Sequence, residues 1–348
     1  MSAEVINKPK NRDSNMELLR VAAMLLVMIV HANFRALPIP TFEEAHTSAL
    51  SSILRFFTES ASIICVNVFI LLSGWYGIKL KWSRLAEFLF QILFWGVLCC
   101  TVYWIFNPGE VSIVHAVANI FMLKGWSYWF VKSYLCLYLL SPVLNAFVDT
   151  ADRKTLGSLL IAFYIFQTVY GWVTNAAFYF ESGYSGLSFC GLYLLARYVR
   201  KYPCALTQLN RKYDILIYAS LTLCMTAASY IIAYFNIPYV GPLMWKYTSP
   251  AVILSALYFL LFFTKISFSS KLINWIAASC FAIYLLHSNA FIAKPYYDEI
   301  ISRWFYSTDS TILFIAKCAL LIAGYFTFAI LFDKIRILLW KLIKTAKS

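Results

Sequence analysis

Uninterrupted apolar runs of about 20 residues recur from one end of this chain to the other, and no other feature of the sequence restricts its fold so strongly. A hydrocarbon layer of roughly 30 Å is crossed by a helix of about 20 apolar residues, which these runs supply. Barrel strands would be shorter and would alternate polar with apolar residues, so continuous runs point to helices. With 61% hydrophobic and 13% charged residues, the 348-residue chain carries more apolar surface than one water-soluble core could hide. The expected fold class is an all-α membrane protein, a polytopic bundle surrounded by the lipid bilayer.

About ten transmembrane helices are expected. The first five are Met16 to Phe34, Ile53 to Tyr76, Leu85 to Phe106, Tyr128 to Phe147 and Thr155 to Val173. The remainder are Leu187 to Tyr198, Tyr213 to Phe235, Ser249 to Thr264, Leu272 to Ile292 and Thr311 to Phe332. Val111 to Leu123 is apolar but too short to span, which suits an interfacial or re-entrant helix. The chain thus divides into an N-terminal tail (1–15), one transmembrane domain (16–332) and a basic C-terminal tail (333–348). The first fifteen residues are polar and basic and no Ala-x-Ala site closes the first run, as in an uncleaved signal anchor.

Basic residues follow this division. Lys79, Lys81, Arg84, Arg153, Lys154, Arg200, Lys201, Arg211, Lys212, Lys265 and Lys271 fall on the side of the two tails. The opposite loops hold Arg35, Arg55, Lys124, Lys246, Lys294 and Arg303. The positive-inside rule then places both termini in the cytoplasm, N-in and C-in. Trp126, Trp129, Tyr239, Trp245, Tyr296, Tyr297 and Trp304 fall near the outer ends, where an aromatic belt belongs.

A net charge of +13 would suit a nucleic-acid binder only if it were gathered on a soluble domain; here it lies between the apolar runs. No nucleic-acid partner is expected. The nine cysteines lie mostly inside the runs without a CxxC pair or a His at ligand spacing, so neither a metal nor a disulfide framework is expected. There is no GxxxxGK[ST] loop and no GxSxG elbow.

Two polar residues in the first run stand apart. Arg20 and His31 are separated by a step of eleven residues, about 1100° at roughly 100° per residue, which leaves them within about 20° of one another. They share one helix face with Glu17, Met24 and Met28, and the axial rise between them is about 16 Å. Direct contact is excluded, so the pair fits two ends of one elongated site. An Arg inside a span normally faces a cavity or a partner; snorkelling to the headgroups, or pairing with Glu17, is the plainer reading. A neutral imidazole at His31 suits a base or a nucleophile, and a structural histidine bonded to a backbone carbonyl is the alternative.

The text around these residues resembles the integral-membrane acyltransferase family 3, whose members modify bacterial surface polysaccharides. Asn15 to Arg20, followed by an apolar run ending at His31, is similar to the family's Arg-x10-His signature. Val66 to Trp75, with Ser73 and Gly74, looks like its second-helix Ser-Gly motif. Tyr128 to Tyr134, continuing through Ser141 and Pro142 to Asn145, resembles its Trp-Phe…Tyr…Ser-Pro stretch. Ala282 to His287 is similar to its late Tyr-Leu-x-His element, with Tyr284 and His287. The motifs occur in the family's order across most of the chain.

The resemblance implies an acyl-CoA donor, acetyl-CoA or another acyl-CoA, entering from the cytoplasm, and a glycan or glycolipid hydroxyl as acceptor, without a metal. Arg20, Arg84 and Glu17 become candidates for the donor-binding end, although the family's paired arginines are reduced here to Lys81 and Arg84, and Arg84 also reads as a positive-inside anchor. His31 becomes the catalytic candidate, as base or transient acyl carrier. Trp129, Lys132, Tyr134, Tyr284 and His287 are candidates for holding the acceptor or the thioester oxygen, against snorkelling for Lys132 and packing for Tyr284 and His287. Ser73 and Gly74 suit close helix packing. The location implied is the bacterial inner membrane. A glycan transporter or flippase is the competing class, since about ten helices with intramembrane charge also fit it, but no internal repeat is visible.

Overall fold

A computed structural model describes residues 13–123, 128–174, 176–238 and 241–346. Lys124, Trp126 and Tyr239, and all but the last three residues of the N-terminal tail, lie outside the described residues.

The described chain is helical and contains no strand. In order, the helices are α1 (Ser14–Val30), α2 (Phe42–Thr47), α3 (Ala49–Ser62), α4 (Cys65–Tyr76) and α5 (Trp82–Phe106). Then come α6 (Ile113–Ile120), α7 (Trp129–Thr150), α8 (Arg153–Phe166), α9 (Gly186–Lys201) and α10 (Arg211–Tyr234). The last are α11 (Pro250–Thr264), α12 (Lys271–Ala277), α13 (Cys280–His287), α14 (Glu299–Ser307) and α15 (Thr311–Thr345). Wide π-turns extend α1 over His31–Arg35 and α8 over Gln167–Val173, and another, Lys294–Asp298, leads into α14.

Local chemistry sets the ends. Asp152, Ser270 and Ser310 accept the N–H groups of Thr155, Ile273 and Leu313 at the starts of α8, α12 and α15. Thr41 and Glu44 form a reciprocal capping box at α2. Gly77, at φ 77°, ends α4 in a conformation that a side chain would disfavour. In α7, Pro142 deprives the Tyr138 carbonyl of its helical donor, and the Ser141 hydroxyl fills the vacancy by donating to that oxygen at 2.7 Å. The Ser-Pro pair is thus a self-compensating break.

Eight segments among the described residues are long and apolar enough to cross a membrane. Two segments expected as spans are built differently. Leu187 to Tyr198 falls within the 16-residue α9, most of whose residues are buried. Leu272 to Ile292 divides into α12 and α13 at Ala278 and Ser279, and then turns at Ser288. α9 and α13 belong to the interior, where helices bounded by protein need not match the bilayer thickness, whereas α12 is mostly exposed or half-buried. The tail expected from residue 333 is a helix as far as Thr345, continuous with α15.

α4 is the hub of the bundle, packed against α1, α9 and α11. Gly74 makes the closest approach: a Cβ there would stand 2.6 Å from the Tyr193 carbonyl of α9. α1 packs against α3, α4, α12 and α13. Ser14 Oγ donates to Asn274 Oδ1 at 3.0 Å, and Lys334 Nζ of α15 donates to the Trp275 carbonyl at 2.8 Å. The start of α1 and this turn of α15 therefore meet the same short helix on one side of the bundle.

Three residues assigned to the outer loops or belt are instead interior. Arg55 is buried in α3, hydrogen-bonded to the Pro38 carbonyl and 3.7 Å from Glu44. Trp245 is buried, and Tyr297 is fully buried with its hydroxyl donating to the Met28 carbonyl at 2.7 Å. Positional rules count charge and aromaticity by distance from a span end, and that distance misleads where the chain folds back into the bundle.

Candidate active site

A cavity of about 630 Å³ opens inside the bundle, within the usual range for small-molecule sites. Arg20, Met24, Val27 and His31 line it from α1, which is the face the eleven-residue step defines. Tyr76 Oη lies 3.2 Å from Asp13 Oδ2, so the end of α4 adjoins the start of α1, and Lys79 after α4 and Arg84 in the first turn of α5 line the Arg20 end of the cavity. Ser73, Trp129, Tyr134 and Tyr284 complete the wall from α4, α7 and α13.

Arg20 is paired with Glu17 one turn earlier. Glu17 does not itself line the cavity, so its place in the site is through Arg20. Arg84 is exposed at the cavity mouth. Ser73 Oγ donates to the Phe69 carbonyl at 2.9 Å and lies 3.4 Å from the Tyr134 hydroxyl. Tyr134 stacks on Phe130, whose ring packs against Tyr284, giving the wall an aromatic lining. Lys132, Gly74, Ser141 and Pro142 do not line it.

His31 occupies the first residue of the π-turn that ends α1, with its carbonyl accepting from Ala36 N, five residues on, at 3.1 Å. His287, fully buried at the end of α13, brings its Nε2 to 2.8 Å from His31 Nδ1. His287 Nδ1 meets the Ile283 carbonyl at 2.8 Å. The two histidines, 256 positions apart, are therefore direct partners, although His287 lies behind His31 rather than in the cavity wall.

The end of α13 is fixed by a buried polar clasp. Asn289, fully buried, donates to the Tyr128 hydroxyl at 2.8 Å, and that hydroxyl donates to the Leu285 carbonyl at 2.6 Å. Asn119 of α6 donates to Asn289 Oδ1 at 3.2 Å. Tyr128 pays for this position with φ 48°, a strained value for a large side chain. Such strain persists where surrounding structure fixes it, and here the clasp ties the His287 end of α13 to α6 and to the start of α7.

Three residues of this region escaped the sequence reading as site residues. Arg35 NH1 approaches His31 Nδ1 at 2.8 Å, and Asp298 Oδ1 accepts from Arg35 Nε and NH2 at 2.9 and 2.8 Å. Arg35 also lies over the Tyr297 ring, 5.5 Å from its centre. The four-residue spacing from His31 to Arg35 was the available signal, since such pairs share a helix face. Nothing local linked Arg35 to Asp298, 263 positions away.

In chemical terms, the cavity joins a cationic end, suited to phosphate or carboxylate, to an imidazole whose Nδ1 is engaged by protein. Among the described residues, no hydrogen bond engages His31 Nε2.

Comparison with known proteins identifies a family. The family model described as an acyltransferase domain, that of the acyltransferase 3 family, matches residues 13–333. No curated protein and no solved structure matches the chain. The match runs from the turn before α1 to the buried Asp333 of α15, and the chain accordingly belongs to the acyltransferase 3 family and is a membrane acyltransferase.

Proposed function

We propose that this protein moves an acetyl group, or alternatively a succinyl group, from cytoplasmic acyl-CoA to a hydroxyl of a cell-surface polysaccharide or its lipid-linked precursor in the bacterial inner membrane. The observation that carries this reading is the single cavity lined by both Arg20 and His31. A pantetheine arm is long and thin, and the rise of about 16 Å between the two residues suits it. Arg20 and Arg84 would meet donor phosphates through charge-assisted hydrogen bonds at one end. The thioester would then reach His31.

His31 Nε2 would remove the proton from the acceptor hydroxyl as its oxygen attacks the thioester carbonyl, or would carry the acyl group transiently. The aromatic wall of Trp129, Tyr134 and Tyr284 would exclude water around the thioester, and the Tyr284 hydroxyl would be available to the acceptor. With both termini in the cytoplasm, as the positive-inside rule supports, the Arg20 end would lie on the side where acyl-CoA is made.

The test is label transfer from radiolabelled acetyl-CoA to a glycan-lipid extract by the purified protein. Transfer by the wild type and none by His31→Ala is expected. Label transfer retained in His31→Ala would remove the catalytic assignment, and glycan movement across vesicles without use of acyl-CoA would favour a transporter.

A further inference from the structure

His31 Nδ1 has two neighbours whose demands conflict. A carbonyl oxygen only accepts, so the contact between His287 Nδ1 and the Ile283 carbonyl puts a proton on His287 Nδ1 and leaves a lone pair on Nε2 of the neutral ring. That lone pair lies 2.8 Å from His31 Nδ1 and calls for a hydrogen there. A guanidinium only donates, so Arg35 NH1, also at 2.8 Å, calls for a lone pair on the same atom. One nitrogen cannot meet both.

The two choices correspond to two tautomers of His31. Bonded to His287, His31 bears its proton on Nδ1 and a lone pair on Nε2, the form able to take a proton from a hydroxyl. Bonded to Arg35, it bears its proton on Nε2 and is no base there. Asp298 accepts from Arg35 through Nε and NH2, which leaves NH1 as the arm that reaches His31. Arg35 also lines the cavity, so a substrate there is within the surroundings of the same guanidinium.

We propose that Arg35 is a substrate-operated catalytic residue, which holds His31 idle until the carbonyl oxygen of the bound acyl donor takes over the NH1 hydrogen bond. His31 Nδ1 then turns its hydrogen bond to His287, one proton having passed from Nε2 to Nδ1 through solvent, and Nε2 becomes the base. The acceptor O–H gives its proton to Nε2 as the oxygen bonds to the carbonyl carbon. The C=O π pair moves onto oxygen, where Arg35 NH1 donates to it. Collapse of this adduct breaks the C–S bond, and the thiolate leaves with the proton returned by His31. Donor binding is thereby required before the acceptor is activated. The inference rests on His31 acting as base in acyl transfer.

Steady-state transfer by the full-length protein, with labelled acetyl-CoA and the glycan-lipid extract, tests it. Arg35→Ala is expected to lower kcat by about 10²–10³, the usual loss for one oxyanion donor. Its KM for acetyl-CoA should change by less than about threefold, since the guanidinium acts on the reacting carbonyl and not on the donor's phosphates. Arg35→Lys should recover about tenfold, because an ammonium donates but cannot be gripped by Asp298 through two N–H groups. Asp298→Asn should lose about tenfold in kcat. A residue needed only for folding would lower the melting temperature and the active fraction without this kcat–KM split or the lysine rescue. If Arg35→Ala does not fold, Arg35→Lys and Asp298→Asn carry the same test. Wild-type kcat in Arg35→Ala or Asp298→Asn, with His31→Ala inactive, would overturn the role of Arg35 alone. Activity in His31→Ala would overturn the reading beneath it.

Discussion

At the scale of single residues, the division of labour along α1 is open to direct measurement. Arg20 lines the cavity about 16 Å from His31, so Arg20→Ala should weaken donor binding and leave the reacting end intact. A charge-assisted bond to phosphate contributes about 1.5–3 kcal/mol, which corresponds to a rise in KM for acetyl-CoA of roughly tenfold or more. The kcat measured at saturating donor should stay within about threefold of wild type, whereas a comparable fall in kcat would place Arg20 in the chemistry. This residue pair was legible in the sequence because helical periodicity alone puts both side chains on one face. Arg35 was not legible as a site residue. It looked like a loop charge at the end of a span, and beyond its four-residue spacing from His31 no local sign tied it to Asp298, which holds it beside the imidazole.

At the scale of elements, the α4–α9 contact sets the wall of the site. Gly74 lies next to Ser73, which faces the cavity, while its own α-carbon faces Tyr193 and Ala196. A Cβ would stand 2.6 Å from a backbone oxygen and 2.9 Å from the Ala196 Cβ, contacts that only a shift of one helix relieves. Gly74→Val should therefore cost about 1–3 kcal/mol by overpacking and should lower both the melting temperature in detergent and the transfer rate. Unchanged melting would show that the two helices separate freely. The Ser-Gly motif was readable as a packing device. The division of the segment from Leu272 to Ile292 was not, because α12 and α13 are both apolar and the break at Ala278 and Ser279 carries no Gly or Pro to announce it. α13 starts after that break and ends at His287, whose burial and contact with His31 are tertiary facts with no local signature.

At the scale of the whole molecule, α15 is secured to α5 by a buried ionic network. Arg336 Nε and NH2 donate to Asp333 at 2.9 and 2.8 Å, while Gln91 and Trp95 of α5 donate to Asp333 Oδ1 at 3.1 and 3.3 Å. Asp333 is fully buried and Arg336 nearly so. Removing one partner of such a pair leaves an uncompensated charge, at a cost of about 3–5 kcal/mol. Arg336→Ala should thus lower the melting temperature by many degrees, and Arg336→Ala with Asp333→Asn should recover part of the loss; equal melting of wild type and Arg336→Ala would contradict the network. Hydropathy gave the helical class and most spans, since lipid demands continuous apolar helices. It ended α15 at Phe332 because Asp333 and Arg336 read as tail charges, and their burial depends on α5, more than 230 positions away.

In the proposed function, one cavity binds the acyl donor along α1 and His31 performs the transfer at its far end. Binding and chemistry therefore separate in His31→Gln, which keeps a polar side chain but lacks an imidazole. Equilibrium binding of labelled acetyl-CoA, followed in the same samples by label transfer to the glycan-lipid extract, measures both. The prediction is a Kd within about threefold of wild type, with transfer lower by at least about 10². Transfer at the wild-type rate by His31→Gln, or acetyl-CoA binding by neither protein, would contradict the account.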